Sequence, residues 1–583
     1  MRISHQIAVL ILAGALATAH SAVPQPWVTR SNELAEPVQM DRAQFLPEAG
    51  SQDGQEEFDT HVVDLKPQVY ERQLAALKTR KEALVAILAT EADPKVRQDL
   101  EILIASRNLA ISQSEVTHQY LLDAVNAAEL VYWGLDTLLD ARNKPARQAR
   151  ALIRLKRYAG LEDGFAPIAT LAKDRTSEEL SRTGLTGPYV EGLKQQFDNT
   201  EHYLQGLSAL FTKAKLKGWE SDLAVLSRQL REYDDWLRQQ VLPRARQEAR
   251  LPGPVYADFL KQVGVDAEPD ALIESASFSF AEVRDEMQVL AKQIAAKRHW
   301  PSGDYRAVLA RLKLQQMTPQ QVLPRYRQRL REIEAIIRRE KLVTLPHRKP
   351  VIRIATDAEA AEIGAPFMRQ PRLIGNTGEY GEFVLPLSNP HAKSTAKMDD
   401  STFDAVTWTL AAHEARPGHE LQFSNMVERG TSVARAIFAE NSANMEGWAL
   451  YSEAMMLPFM PPEGQLASLQ LRLLRMARAF LDPMVNLGRI STADAKRVLM
   501  EQVVLSEPDA QQEVDRYAFN SPGQATSYYY GYTQIRSIRT LAEIALGKKF
   551  NLMAFNDFVL DQGLLPPRLL RQAVIHEFVP AQK

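Results

Sequence analysis

The stretch HEARPGHELQ, residues 413–422, holds two histidines and a glutamate, residue types that can bind a divalent metal and activate water beside it. His413 and Glu414 are set out as in the H-E-x-x-H helix, where imidazoles one turn apart hold the metal and the glutamate is a base. Position 417, however, is proline, and the second histidine is His419. Six residues of regular helix turn through about 600°, which leaves His419 about 120° from the face of His413. On an unbroken helix the two cannot share an ion. Pro417 offers no N–H to the carbonyl of His413, and Gly418 can take backbone angles that other residues avoid. The spacing therefore predicts a bulge or kink at 417 and 418 that swings His419 back toward His413.

A third candidate ligand comes from ENSANMEGWALYSE, residues 440–453. Glu446 stands at helical spacings from Ala439, Ala443, Ala449 and Leu450, and a carboxylate on an apolar stripe is costly unless a cation meets it. Two imidazoles and one carboxylate leave a fourth position for water, the donor set of a catalytic zinc ion, Zn2+. Glu453, two turns on, is placed to support a ligand. Glu440, in E-x-x-x-N spacing with Asn444, is the rival third ligand.

SPGQATSYYYGYTQIR, residues 521–536, is the third constellation. Ser521 and Gln524 have capping-box spacing with Pro522 at the first helical position, which predicts a helix start. Tyr528, Tyr532 and Ile535 then share a face with Arg536 alongside. A phenol and a guanidinium can hydrogen-bond an oxyanion or hold a substrate carboxylate; the same face also suits aromatic core packing.

The elements that must position these groups are mostly helices. Ser401 and Asp404 have capping-box spacing, and the stripe Phe403, Val406, Leu410 turns His413 and Glu414 inward. From about Val69 to Leu342 apolar residues recur at three- and four-residue steps, interrupted by turn chemistry near 160, 184 and 251. Between 346 and 390 short apolar pieces sit among Pro, Gly and Asn, which predicts strands around Val351–Ile354 and Glu382–Leu385. The expected fold is mainly α, with a small β element before the site helix, and residues 376–388 are expected to hold a peptide as an added strand. The expected division is a signal peptide over 1–22, a flexible segment over 23–60, a helical domain over 61–345 and a metal-binding region over 346–583.

The whole chain bounds these readings. Its 583 residues carry a net charge of −2, so no nucleic-acid or anionic-membrane partner is implied. There is no cysteine, hence no thiolate metal site, disulfide or lipid-bearing cysteine. Residues 1–22 have a basic start, an apolar run and small closing residues, the pattern of a cleavable signal peptide. A periplasmic or secreted location without a membrane anchor is expected. Oligomeric state leaves no trace in the sequence.

HEARPGHELQ, EGWALYSE and PGQATSYYYG, in this order, resemble the signature passages of a bacterial family known as domain of unknown function eight hundred and eighty-five, regarded as related to zincin-like metallopeptidases; LPGPVYADFLKQVGV near 251 resembles its upstream region. The resemblance implies a zincin-like helical architecture with His413, His419 and Glu446 as zinc ligands, Glu414 as the catalytic carboxylate and Tyr528 in the cleft. Two positions depart from the family pattern: Arg416, where an aromatic is common, and Glu420, where another histidine often follows. The expected activity is hydrolysis of oligopeptides by a metal-activated water, with Tyr528 and Arg536 stabilising the oxyanion. The alternatives are a non-catalytic binding protein on the same fold and a metal-dependent hydrolase of an ester or non-peptide amide.

Overall fold

The computed structural model describes residues 25–356, 359–360, 365–374, 376, 378–387 and 399–583, so the signal peptide expected over 1–22 lies outside the described residues. The architecture is mainly helical with one small sheet. Its principal helices are α1 (Pro26–Phe45), α2 (Val69–Leu88), α3 (Pro94–Tyr120), α4 (Ala127–Leu139), α5 (Val190–Lys213), α6 (Glu220–Gln240), α7 (Pro269–Arg298), α8 (Pro319–Glu340), α9 (His419–Arg429), α10 (Ser442–Met456), α11 (Pro462–Asn486) and α12 (Ser527–Leu546). No helix among the described residues is long and apolar enough to cross a membrane.

Local chemistry accounts for these elements. In α7 the buried residues Leu272, Ala276, Phe280, Val283, Met287, Ala291 and Ile294 recur at steps of four and three, a single apolar stripe, which packs on α11. Asp93 caps α3 by accepting from the Lys95 amide at 2.8 Å, with Pro94 at the first helical position. The Asn441 side chain caps α10 through the Asn444 amide at 2.8 Å. Helix α11 is buried along nearly its whole length and is the central post of the larger core.

Three readings of the sequence change. Residues 26–45, expected to be flexible, form α1, whose inward face is Ser31, Ala35, Val38, Gln39 and Ala43. The spacing is helical, but most of the buried residues are small or polar, and polar contacts help to hold the helix: Ser31 Oγ donates to Asp99 Oδ2 at 2.5 Å, and the Val433 amide donates to Asn32 Oδ1 at 2.8 Å. The expected capping boxes do not form either. Asp404 is drawn into an ion pair with Arg325, and the helical stretch before His413 begins as a 3-10 turn at Asp404–Val406. Gln524 is likewise engaged with Arg516, so α12 begins at Ser527 after a 3-10 turn at Gln524–Thr526.

The strands fall where the sequence places two of them, β1 (Val351–Ile354) and β3 (Glu382–Leu385), with β2 (Phe367–Arg369) between them in sequence. In space the order is β1-β3-β2, with β1 parallel and β2 antiparallel to β3. The middle strand β3 therefore has both backbone edges paired. It cannot accept an added peptide strand, contrary to the expectation for 376–388; β2 lies against the 411–415 turn.

The apolar cores do not divide the chain at 345. One core gathers residues between Leu122 and Val241, including Leu135, Phe211 and Leu226, a larger one joins α1 to α3 and residues 249–343 to most of the chain beyond, and a small third groups Phe423, Met426, Ala436 and Leu564. The C-terminal site therefore shares its core with the first helices of the chain.

Helices α10 and α12 cross at unusually short range. A Cβ on Gly531 would lie 1.8 Å from the Ala443 carbonyl oxygen and 2.9 Å from Gly447 Cα, and one on Gly447 would lie 2.5 Å from the Gly531 carbonyl carbon. The glycines of EGWALY and of YYYG are thus the contact that sets Glu446 against Tyr528. Gly531→Ala is expected to separate the helices and destabilise the fold by about 1–3 kcal/mol; chemical denaturation with an unchanged midpoint would refute the close crossing.

Candidate metal centre

The helix carrying His413 does not bulge at 417 and 418 as expected; it stops and restarts. Residues Ala411–Ala415 form a π turn, Arg416 is extended with φ −126° and ψ 135°, and α9 begins at His419. The Arg416–Pro417 peptide is cis. Gly418 is required by packing, since a Cβ there would sit 1.8 Å from the His413 carbonyl oxygen. The result matches the expected purpose of the bend: the two imidazole rings stand edge to face with centroids 4.9 Å apart.

Two contacts clamp the break. The Arg416 Nε donates to Glu420 Oε2 at 2.6 Å, a buried ion pair that joins the last residue before the proline to the first turn of α9. Arg416 also reaches Glu334 of α8 at 2.7 Å and the Arg348 carbonyl, and Ser424 donates to Glu420 at 2.6 Å. Arg416 and Glu420 are therefore partners of each other. From α10, Trp448 Nε1 donates to the Pro417 carbonyl at 2.9 Å.

The break brings His413 Nε2 to 3.2 Å and His419 Nε2 to 3.4 Å from one atom, Glu446 Oε2. Candidate donor atoms of the three residues all lie within 4.8 Å of one another. Glu446 Oε2 is buried and receives no well-directed hydrogen bond. Two imidazole nitrogens and an under-satisfied carboxylate oxygen at one point fit a tetrahedral cation with a free fourth position. Glu440 is not in this group; it lines a separate cleft with Arg42 and Asp53.

Glu453 lies below His413. Fully buried, it faces His413 Nδ1 at 2.7 Å and accepts from Thr409 Oγ1 at 2.6 Å, with Arg475 at 3.7 Å. A carboxylate at Nδ1 fixes the tautomer that leaves the Nε2 lone pair free toward Glu446. His419 Nδ1, by contrast, is buried with no partner among the described residues. Burial opposes charge on His413, but Glu414, Glu446 and Glu453 outweigh it and raise the imidazole pKa to about 9. Burial also opposes ionisation of Glu446, yet the two histidines hold it well below the usual carboxylate range. Three carboxylates converging on two imidazoles are a site short of positive charge.

Glu414, 3.8 Å from His413 Nε2, is held above its usual pKa by burial, which the histidines only partly offset. The Tyr528 ring lies nearly parallel to the His413 ring, with centroids 6.1 Å apart. Its hydroxyl accepts from Arg516 at 3.0 Å, and Arg478 and Arg475 lie 4.5 and 5.4 Å from its ring centre. Arg516 is fixed by Gln524, whose amide nitrogen donates to Ser442 Oγ at 2.8 Å. The turn before it is pinned where the Gly523 amide donates to Asp482 at 2.9 Å.

The structure thus brings together His413, Glu414, His419, Glu446 and Tyr528. Arg536 does not join them: it is exposed and donates to Tyr532 at 2.9 Å. The guanidiniums beside Tyr528 are Arg475, Arg478 and Arg516, which sequence reasoning missed. A signal existed for two of them. Arg472, Arg475 and Arg478 form a three-residue row within the apolar run of α11, and buried charges on such a stripe need partners.

No curated protein matches the chain. Among solved structures, it is similar over 95% of its length to all of a Colwellia psychrerythraea protein described as a "putative lipoprotein", with 18% identity and a TM-score of 0.75. It is likewise similar to all of a Shewanella oneidensis protein described as a "putative lipoprotein of unknown function", with 18% identity and a TM-score of 0.70 over 95% of the chain. At that identity the likeness establishes the fold and nothing further. A family model spans residues 47–574, including the broken helix, α10 and the Tyr528 turn, and the chain therefore belongs to the bacterial proteins of unknown function grouped as DUF885.

Proposed function

We propose that the protein is a zinc-dependent, zincin-like peptidase that hydrolyses oligopeptides, exported to the periplasm or beyond. The observation that carries the reading is the approach of His413 Nε2 and His419 Nε2 to a single buried oxygen of Glu446, with the Glu414 carboxylate beside them. His413, His419 and Glu446 would hold the ion. Zinc, when bound, lowers the pKa of water in its open position toward about 7 and polarises a carbonyl.

The remaining work falls to the chain's own residues. Glu414 takes the proton from the attacking water and returns it to the leaving amine as the C–N bond breaks. Its raised pKa makes the protonated form accessible for that second transfer. Tyr528 stays protonated because burial, and then the charge of Glu446, disfavour the phenolate despite three nearby arginines. Because Arg516 supplies the hydrogen bond that its oxygen accepts, the phenol proton is free to meet the developing oxyanion. A purely structural zinc site closes all four positions with protein ligands and requires no adjacent base, so Glu414 favours the catalytic reading over that of a binding protein.

Glu414→Gln is expected to keep one equivalent of zinc by elemental analysis while losing about 100-fold or more of its activity on a mixed oligopeptide library read by mass spectrometry. Undiminished cleavage by the variant would reject Glu414 as the base, and a metal-loaded wild type that leaves every peptide and its ends intact would reject the peptidase. Glu453→Gln removes the charge behind His413 without touching the ion. It is expected to weaken zinc affinity about 10- to 100-fold in a chelator competition, and unchanged affinity would show that Glu453 does not prepare the ligand.

A further inference from the structure

A second site lies away from the metal centre. Helices α1, α2 and α3 wall a cleft of about 880 Å3, within the size range of small-molecule sites. Arg107 of α3 faces it and is only 5% exposed. Its guanidinium lies 5.3 Å from the Phe438 ring centre but makes no ion pair or hydrogen bond with any described residue, and its Nε is buried without a partner.

The neighbouring charges do not neutralise it. Asp41 is engaged by Arg80 at 2.6 Å and Asp53 by Arg42 at 3.0 Å, and neither of them, nor Glu440 beside Arg42 and Asp53, forms an ion pair with Arg107. Burial, and then the charge of Arg42, press the Arg107 pKa down to about 10. A buried charge without a counter-ion is expensive, and one monoanion would remove the cost.

We propose that this cleft binds an organic monocarboxylate, with the Arg107 guanidinium as its anchor. The planar fork of arginine suits two carboxylate oxygens. Phe45, Leu46, Leu65 and Leu77 offer an apolar wall for the rest of the molecule. Eleven residues further along α3, about 16 Å away, the cleft also takes in His118, whose Nδ1 lies 3.1 Å from Arg182, with Glu179 paired to Arg182 at 2.7 Å and Glu71 and Asp123 close by. At that end Glu71, Asp123, Glu178 and Glu179 outnumber Arg175 and Arg182, a balance that disfavours multiply charged anions such as phosphate. The site is independent of the metal reading, since none of its residues belongs to the metal centre.

The test uses N-acetyl-L-phenylalanine, its uncharged amide and inorganic phosphate in calorimetric titrations of the full chain. The acid is expected to bind at least tenfold tighter than the amide. This preference should vanish in Arg107→Met and shrink in Arg107→Lys, which keeps the charge but loses the fork. The proposal is overturned by no binding of the acid, by equal binding of acid and amide, by phosphate binding as tightly as the acid, or by a preference that survives in Arg107→Met. Should Arg107→Met fail to fold, an undiminished preference in Arg107→Lys overturns it equally.

Discussion

The site depends on a constraint of helix geometry: positions 413 and 419 of a continuous helix face apart, and the chain must be interrupted for their imidazoles to meet. The interruption is tightly held. Gly418 passes so close to the His413 carbonyl that no side chain fits, Arg416 and Glu420 join the two helix ends, and Trp448 donates to the carbonyl of Pro417. Because Trp448 is two residues from Glu446, the helix that braces the break also delivers the third candidate ligand.

Around that break the motif residues have separable physical tasks. In EGWALYSE, Glu446 faces the imidazoles, Gly447 admits α12, Trp448 secures the break and Glu453 backs His413. In the passage from 522 to 531, Gly523 binds Asp482, Gln524 holds Arg516, Tyr528 stacks on His413 and Gly531 lets the helices cross. The charge balance follows the same division. Carboxylates crowd the imidazole side, whereas Arg475, Arg478 and Arg516 surround Tyr528, so the phenol lies between a negative and a positive layer.

Much of this was legible in the sequence where residue type alone limits the outcome. A proline and a glycine between two histidines demanded a departure from the helix, and two strands were placed at their observed bounds. What the sequence hid was decided by long-range partners. Arg325 takes Asp404 and Arg516 takes Gln524, so both expected capping boxes give way to 3-10 turns. Strand β2 is only three residues long, and its position beside β3 is a tertiary fact that removes the expected edge for a peptide. Helix α1 buries serine, alanine and glutamine beside only two larger apolar residues, Val38 and Phe45, which leaves a weak hydrophobic period to read. Arg536 shares the helix of Tyr528 but lies two turns on and outside the core, where spacing could not distinguish it from Arg516.

The central claim is that the broken helix and α10 create one metal position, and anomalous diffraction at the zinc absorption edge from crystals of the zinc-loaded protein tests it directly. The account predicts a single strong peak within about 2.0–2.2 Å of His413 Nε2, His419 Nε2 and a Glu446 oxygen. No peak between those three side chains, or a peak bound by Glu440 and Asp53 in their separate cleft, would contradict it.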